Sequence, residues 1–490
     1  MNNFVVYSAS AGSGKTFTLA LHYIKMLLLQ GQNAHRHILT VTFTNDATNE
    51  MKQRIISELS LLADAAPDNK FREALRKELP ESITDEEITK ISAQRLNEIL
   101  HDYSRFWVMT IDSFFIRIVQ NLAYELGVGS KFNIELNNDS AVIEAVNAVI
   151  NNASQDEKVL QTLLEYVNHR IEYDDKWRIK DALIGFGSKN LFSEKFQIHS
   201  PALQKALKEN PDAIKELKEK CKDIEREYEK NTPQYNTAKA LLTHIFQLEL
   251  IGDIDREVDL QSKENMRFLL SKTAVLLHGL LKENSGGASF IYEKTGAEIS
   301  SVMIDEFQDT SFLQWQNFKY LISEIIANNN LCLIVGDVKQ SIYRFRNGDW
   351  QILNNIEKET FAGIKARVEN LSFNYRSRKN IVEFNNNLFT KIIAGLNTEK
   401  DNADIQKAYK DVRQNLPSTH KNGGHVEVCF YDKKEKYECL VDILIKLYAN
   451  NVAPKDIAIL CRSNNDIKSI TEYLSEFTDF SVINPAAYTL

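Results

Sequence analysis

The stretch Tyr7-Ser8-Ala9-Ser10-Ala11-Gly12-Ser13-Gly14-Lys15-Thr16 follows a short apolar run and precedes an apolar stretch of helical periodicity. Strand, loop and helix in that order form the layout of a nucleotide-binding site, and the order says more than the string itself. Successive backbone N–H groups from Ser10 to Lys15 would turn inward around a β-phosphate, and the helix starting near Lys15 would add its positive N-terminal end. Gly12 and Gly14 let the backbone come close to that phosphate. Lys15 would reach the β- and γ-phosphates as a point charge, and the Thr16 hydroxyl would fill one Mg²⁺ coordination position. The strict form of the loop has glycine where Ala9 stands, so the segment alone also admits a Gly/Ser-rich turn before a helix.

Downstream residues favour the phosphate reading. Val302-Met303-Ile304-Asp305-Glu306 is an apolar strand ending in two acids. A Mg²⁺-dependent phosphate hydrolysis site needs such a pair: Asp305 to hold Mg²⁺ through water, Glu306 to orient and deprotonate the attacking water. A second apolar strand, Leu331 to Val335, ends in Gly336-Asp337 with Lys339-Gln340 beyond it. Gln340 suits a residue that senses the γ-phosphate.

Further segments occur in order along the chain: Val41-Thr-Phe-Thr-Asn45 with Glu50-Met-Lys-Gln-Arg54, Thr110-Ile-Asp-Ser113-Phe, Ile304-Asp-Glu-Phe-Gln-Asp-Thr310, Val335-Gly-Asp-Val-Lys-Gln-Ser-Ile-Tyr-Arg-Phe-Arg346 and Asn374-Tyr-Arg-Ser377. Together they closely resemble the motif series of UvrD/Rep-type superfamily 1 DNA helicases. The Ser-Ala-Gly-Ser-Gly-Lys-Thr-Phe-Thr loop and the Lys before Gln340 look more like the RecB/AddA branch, the motor subunits of helicase-nucleases. The resemblance is specific at the motifs and thin between them, above all from about 135 to 265.

The resemblance implies ATP and Mg²⁺ as ligands, with Ala9 to Thr16 around the phosphates and Thr16 and Asp305 on the metal. It also implies catalytic roles for Lys15, Asp305, Glu306, Gln340 and Arg376, the last two contacting the γ-phosphate. Tyr375 would stack on the adenine. Phe43, Tyr343 and Phe345 stand where the family presents rings to unpaired bases, Arg346 where it holds the DNA backbone, and Asn45 and Ser113 in the accompanying DNA motifs. A base stacked on an aromatic ring contributes about 1–3 kcal/mol whatever the sequence, which suits a moving motor. Each of these rings could instead be an ordinary core residue.

Departures limit what carries over. No segment precedes the first strand to supply the glutamine that reads adenine, Phe17 replaces an arginine common after the Lys-Thr, and Asp112 replaces a histidine. The family places ATP between two RecA-like domains, and an arginine of the second stabilises the transition state. The later motifs of that second domain do not occur before Leu490, so the chain reads as the N-terminal portion of a motor. It is expected to bind ATP and single-stranded DNA, to hydrolyse slowly and not to unwind. The family implies 3′ to 5′ movement in recombination or repair, acting on single strands or duplex ends, with a helicase-nuclease partner subunit possible.

Composition fits this picture. The chain has 490 residues, 43% hydrophobic and 26% charged, enough for about three domains. No run approaches the ~18 apolar residues of a membrane span, and the strand starts too close to Met1 for a signal peptide, so a cytoplasmic protein is expected. Cys221, Cys332, Cys429, Cys439 and Cys461 lack C-x-x-C spacing, against structural zinc or a disulfide framework. The net charge of −8 counts against a DNA binder. Many acids, however, lie in mixed-charge helical stretches at 212–230 and 253–264, while arginines gather around 343–346 and 376–378.

The expected fold is an α/β P-loop NTPase. A RecA-like parallel sheet would come from residues 1–130 and 290–368, with strands at Phe4, Ile38, Phe106, Val302 and Leu331. Residues 131–289 would be a helical insertion, with helical spacing in Val142 to Ile150 and Phe268 to Leu281. Residues 369–490 would begin a second RecA-like domain. In it Asn397 to Asn422 reads as a long polar excursion, Val426 to Tyr431 and Ile457 to Arg462 as strands, and Ile467 to Phe477 as a helix. Ser285-Gly-Gly-Ala288 stands where ATP-binding-cassette proteins keep their signature loop, but no Leu precedes it and no Gln follows. The remaining alternative is a catalytically silent ATP- and DNA-binding module; the joint presence of Lys15, Asp305, Glu306, Gln340 and Arg376 weighs against it.

Overall fold

The computed structural model describes residues 3–66, 69–122, 133–135, 137–172, 178–210, 212–283, 298–396, 403–419, 422–432, 435–480 and 482–483. Ser285-Gly-Gly-Ala288 lies outside the described residues. Six parallel strands form the central sheet: β1 (Phe4–Ala9), β2 (Ile38–Thr42), β3 (Val108–Thr110), β6 (Ser301–Ile304), β7 (Cys332–Gly336) and β10 (Arg367–Leu371). Their spatial order is β10-β1-β7-β6-β2-β3. Four shorter strands make two small ribbons, β4 (Asn133–Glu135) with β5 (Arg267–Leu269) and β8 (Thr360–Phe361) with β9 (Ile364–Lys365).

Alternation along the strands sends successive side chains to opposite faces, and both faces are covered. Phe4, Val6, Leu39, Val41, Val302 and Ile304 pack on one side against α5 (Ile111–Asn121), α12 (Thr273–Glu283) and α13 (Phe312–Ala327). Val5, Tyr7, Ile38, Val108, Met303 and Leu333 pack on the other against α1 (Lys15–Leu29), α2 (Asn45–Ala63), α3 (Lys70–Glu78) and α4 (Asp85–His101). Between β3 and β6 comes a helical body with its own core of Val142, Val146, Leu183, Phe246, Leu250 and Ile254. It contains α6 (Asn138–Asn151), α7 (Glu157–Glu172), α8 (Ile179–Asn190), α9 (Glu194–Glu209), α10 (Ala213–Glu227) and α11 (Pro233–Glu264). Beyond the sheet lie α14 (Trp350–Asn354), α15 (Lys379–Leu396) and α16 (Ala403–Ala408).

The P-loop α/β fold is therefore present, with differences in detail. The sixth strand, β10, was not anticipated: Arg367 and Glu369 alternate with Val368 in an edge strand with exposed faces, which gives no apolar run to read. Phe268 and Leu269 belong to a strand rather than a helix, because they pair in parallel with Ile134 and Glu135. Residues Gly423–Leu490 form a separate unit, in which α17 (Lys436–Ala449) and α18 (Asn464–Phe477) meet around Leu444, Ile470 and Leu474. The strands expected at Val426 to Tyr431 and Ile457 to Arg462 do not form there. Neither segment has a ladder partner among the described residues, and Phe430 and Leu460 stand 96% and 95% exposed.

Candidate nucleotide site and aromatic platform

The loop between β1 and α1 lies at the carboxyl end of the sheet, where open α/β sheets bind ligands. Gly12 and Gly14 have φ of 76° and 90°, the left-handed region that glycine enters without strain. The N–H groups of Gly14, Lys15 and Thr16 belong to the first turn of α1, where no intrahelical acceptor exists. Ser10 and Ser13 are buried, and the Ser13 hydroxyl has no hydrogen-bond partner. Phe17, one residue past Thr16, packs its ring 4.3 Å from Phe71.

Lys15 reaches across to the neighbouring strand ends. Its Nζ donates to both Glu306 carboxylate oxygens at 3.0 and 2.9 Å and to Gln340 Oε1 at 3.2 Å. Asp305, at the end of β6, is buried, and its Oδ1 accepts the Glu306 N–H at 2.9 Å. Burial, aided by the charge of Glu306, pushes the Asp305 carboxyl up to about 7. Glu306 itself has φ 47°, a left-handed backbone that costs a non-glycine residue on the order of 1 kcal/mol.

A second layer fixes this cluster. Gln308 Nε2 donates to Glu306 Oε2 at 2.7 Å, and Gln308 Oε1 accepts the Asp337 N–H at 2.9 Å. Asp337 in turn accepts from Gln340 Nε2 at 2.6 Å and pairs with Lys339 at 2.6 Å. The ring Lys15, Glu306, Gln308, Asp337, Gln340 is closed, so each amide has one orientation that satisfies it. Gly336 lacks a Cβ because one would come 2.8 Å from Gln308 Oε1 and from Leu353 Cδ2.

The Asn374-Tyr-Arg-Ser377 segment lies over the crest of the loop. Tyr375 N–H donates to Gly12 O at 2.8 Å, and a Cβ on Gly12 would stand 2.8 Å from Arg376 Cβ. Arg376 is exposed, and the Tyr375 ring is 65% exposed.

The residues expected to meet bases and backbone also converge. Phe43, just past β2, lies 4.5 Å from the ring of Tyr343, which is 5.8 Å from the ring of Phe345. The Arg346 guanidinium covers both later rings, at 5.6 and 5.8 Å. Phe345 is 78% exposed, so it is no core residue; Phe43 is half-buried. Asp112 feels the charge of Arg346 and accepts from Gln314 at 3.1 Å, which sets the start of α5 beside this platform. Ser113 is exposed, and its hydroxyl exchanges a 2.7 Å hydrogen bond with Thr110. Asn45 is exposed at the first turn of α2.

The model of the UvrD/REP helicase N-terminal domain matches residues 1–361, and that of the UvrD-like helicase C-terminal domain matches residues 370–482. The chain belongs to the UvrD/Rep helicase family. It is 24% identical to an ATP-dependent helicase/nuclease subunit of Clostridium botulinum over 580 residues, covering 90% of this chain and 42% of that protein. It is 24% identical to RecBCD enzyme subunit RecB of Haemophilus influenzae over 504 residues, covering 79% of this chain and 40% of that one. The chain thus spans less than half the length of either relative.

In this UvrD/Rep-family chain the residues fit a Mg²⁺-nucleotide. The unpartnered Ser13 hydroxyl and the glycine-lined loop suit phosphate oxygens, and a cation would relieve the two adjoining carboxylates at 305 and 306. Sequence reasoning missed Gln308, Asp309 and Asp337 as parts of the cluster. All three stand inside the motifs it quoted, and their signal was being a polar residue just past a buried strand end. No helix among the described residues is long and apolar enough to cross a membrane.

Proposed function

We propose that the chain supplies the ATP-binding and single-strand-binding part of a motor that couples ATP turnover to 3′ to 5′ translocation. The observation that supports this best is the Lys15–Glu306–Gln340 cluster at the phosphate loop. The chain segment leading directly from that cluster, past 340, carries Tyr343, Phe345 and Arg346 of the aromatic platform. Lys15, Gln340 and Arg376 would contact the γ-phosphate, and Tyr375 the adenine. Thr16 and Asp305 would hold Mg²⁺. There it would supply positive charge against the negative charge that develops as the γ-phosphoryl group leaves. Glu306, held by Gln308, would orient water in line with that group and take its proton. Release of Lys15 from Glu306 to the phosphate would free the carboxylate for this task.

Phe43, Tyr343, Phe345 and Arg346 would grip unpaired bases and backbone, with Asn45 and Ser113 beside them. We assign residues 1–130 and 290–368 to the first RecA-like domain, 131–289 to the insertion and 369–490 to part of the second. The relatives' names, one a subunit of an ATP-dependent helicase/nuclease and the other of the RecBCD enzyme, support work within a larger assembly, which this reading sets in recombination or repair in the cytoplasm.

Equilibrium nucleotide binding and DNA-stimulated phosphate release test the reading together. Glu306→Gln should keep ATP binding and lose turnover, while Lys15→Ala should lose both. Nucleotide binding that ignores Lys15 would sink the assignment, and turnover unchanged in Glu306→Gln would remove Glu306 from it.

A further inference from the structure

The polar segment past α16 folds back onto the phosphate loop. Asn415 N–H donates to Ser372 O at 2.7 Å and Asn374 N–H to Asn415 O at 2.9 Å, a parallel bridge that lays Asn415 alongside Phe373. Gln414 is then fixed at its backbone by one side chain of α15: its N–H donates to Asn386 Oδ1 and its C=O accepts from Asn386 Nδ2, both at 2.9 Å. Its own side chain points at the loop crest. Nε2 donates to Ala11 O at 2.9 Å, and Oε1 accepts from Asn374 Nδ2 at 2.9 Å. Asn374 Nδ2 shares Ala11 O at 3.2 Å, and Asn374 Oδ1 caps the N–H groups of Arg376 and Ser377 at 3.0 and 2.8 Å.

Two side-chain amides therefore hold one carbonyl. A trans peptide is planar, with its C=O and N–H pointing opposite ways. Pinning the Ala11 carbonyl outward turns the Gly12 N–H toward the inside of the loop, where a phosphate oxygen would accept it. Gly12, at φ 76°, lacks the steric restraint that would hold that peptide in place by itself.

We infer that Gln414 is a positioning residue for phosphate: through Ala11 O and Asn374 it orients the Ala11–Gly12 peptide of the loop and steadies the Asn374–Ser377 turn above it. This rests on the reading of residues 9–16 as a phosphate cradle. Gln414 touches no phosphate itself. It acts by keeping a backbone donor aimed before the ligand arrives, so that binding does not have to reorganise the loop.

The test uses the 490-residue chain, a fluorescent ADP and a fluorescent ATP, and Mg²⁺, at a temperature where every variant is folded. Gln414→Ala should weaken both nucleotides roughly tenfold, the equivalent of one hydrogen bond. Gln414→Glu is the sharper variant, because it keeps an acceptor for Asn374 but sets a carboxylate oxygen against Ala11 O. It should weaken binding at least as much as Gln414→Ala. Adding Asn374→Ala to Gln414→Ala should cost less than the two single losses combined. A purely structural role would lower the melting temperature of the nucleotide-free protein and leave the folded protein's affinities alone. Wild-type affinity in Gln414→Glu overturns the inference while leaving the cradle reading intact. Binding in the wild type that survives Lys15→Ala overturns both.

Discussion

Asp309 links the two halves of the site at the level of a single side chain. Its carboxylate accepts from Gln308 Nε2 at 3.4 Å, feels the charge of Glu306, and is influenced by the backbone N–H groups of Ile342 and Tyr343, the approach to the aromatic platform. Burial pushes this carboxyl up to about 6, from an ordinary value near 4. Below about pH 4 the group is protonated folded or unfolded and has no effect. Between about 4 and 6 the unfolded chain loses the proton first, so stability falls as pH rises through that window, and the deficit stays constant above it. Asp309→Asn should remove this dependence. Its melting temperature relative to wild type should climb from pH 4 to 6 and then level off, and parallel curves from pH 4 to 8 would contradict the account. Tyr343, carried by the same turn, lends itself to a binding test. Tyr343→Ala should weaken single-stranded DNA by about 1–3 kcal/mol, equally for different base compositions. A loss confined to one base would point to hydrogen-bond readout instead.

Among the elements, the junction between α9 and α13 is held by a single buried carboxylate. Glu194, in the first turn of α9, is buried; it accepts from Ser311 Oγ and from the Leu313 N–H at 3.2 Å. One carboxylate thus lies at the N-terminal ends of two helices, a favourable place for negative charge, although burial still raises its proton affinity. Ser311 caps α13 through its own capping box with Gln314, the same glutamine that holds Asp112. Glu194→Ala should destabilise the protein to denaturant by about 1 kcal/mol, as loss of a cap does, and Glu194→Gln by less. Equal effects of the two would mean that packing, not the carboxylate, matters there. Such long-range contacts separate what the sequence made legible from what it did not. Lys15, Asp305, Glu306 and Gln340 could be read because each stands at a fixed offset from an apolar strand end. Glu194, Asn386 and Gln414 could not, since their partners lie 117, 28 and 403 residues away in sequence and no local period marks them. β10 escaped notice because an edge strand with exposed faces alternates charge where a central strand repeats Val and Ile.

At the scale of the molecule, a chain of net charge −8 carries a compact aromatic and basic surface at 343–346. Stacking tolerates that charge better than a binding mode made of phosphate contacts alone. The sheet has a different consequence, one that concerns synthesis. β1, which leads into the phosphate loop, is flanked by β7 and β10, whose residues 332–336 and 367–371 come more than 320 positions later. At a translation speed of about 5–20 residues per second, the apolar Phe4, Val5 and Val6 wait roughly 20–70 s for neighbours. β2 and β3 can pair long before that. The nucleotide site is thus the last part of this sheet to assemble on the ribosome, and a nascent chain halted anywhere before β7 has a loop with the right residues and no strand beside it to give them a shape.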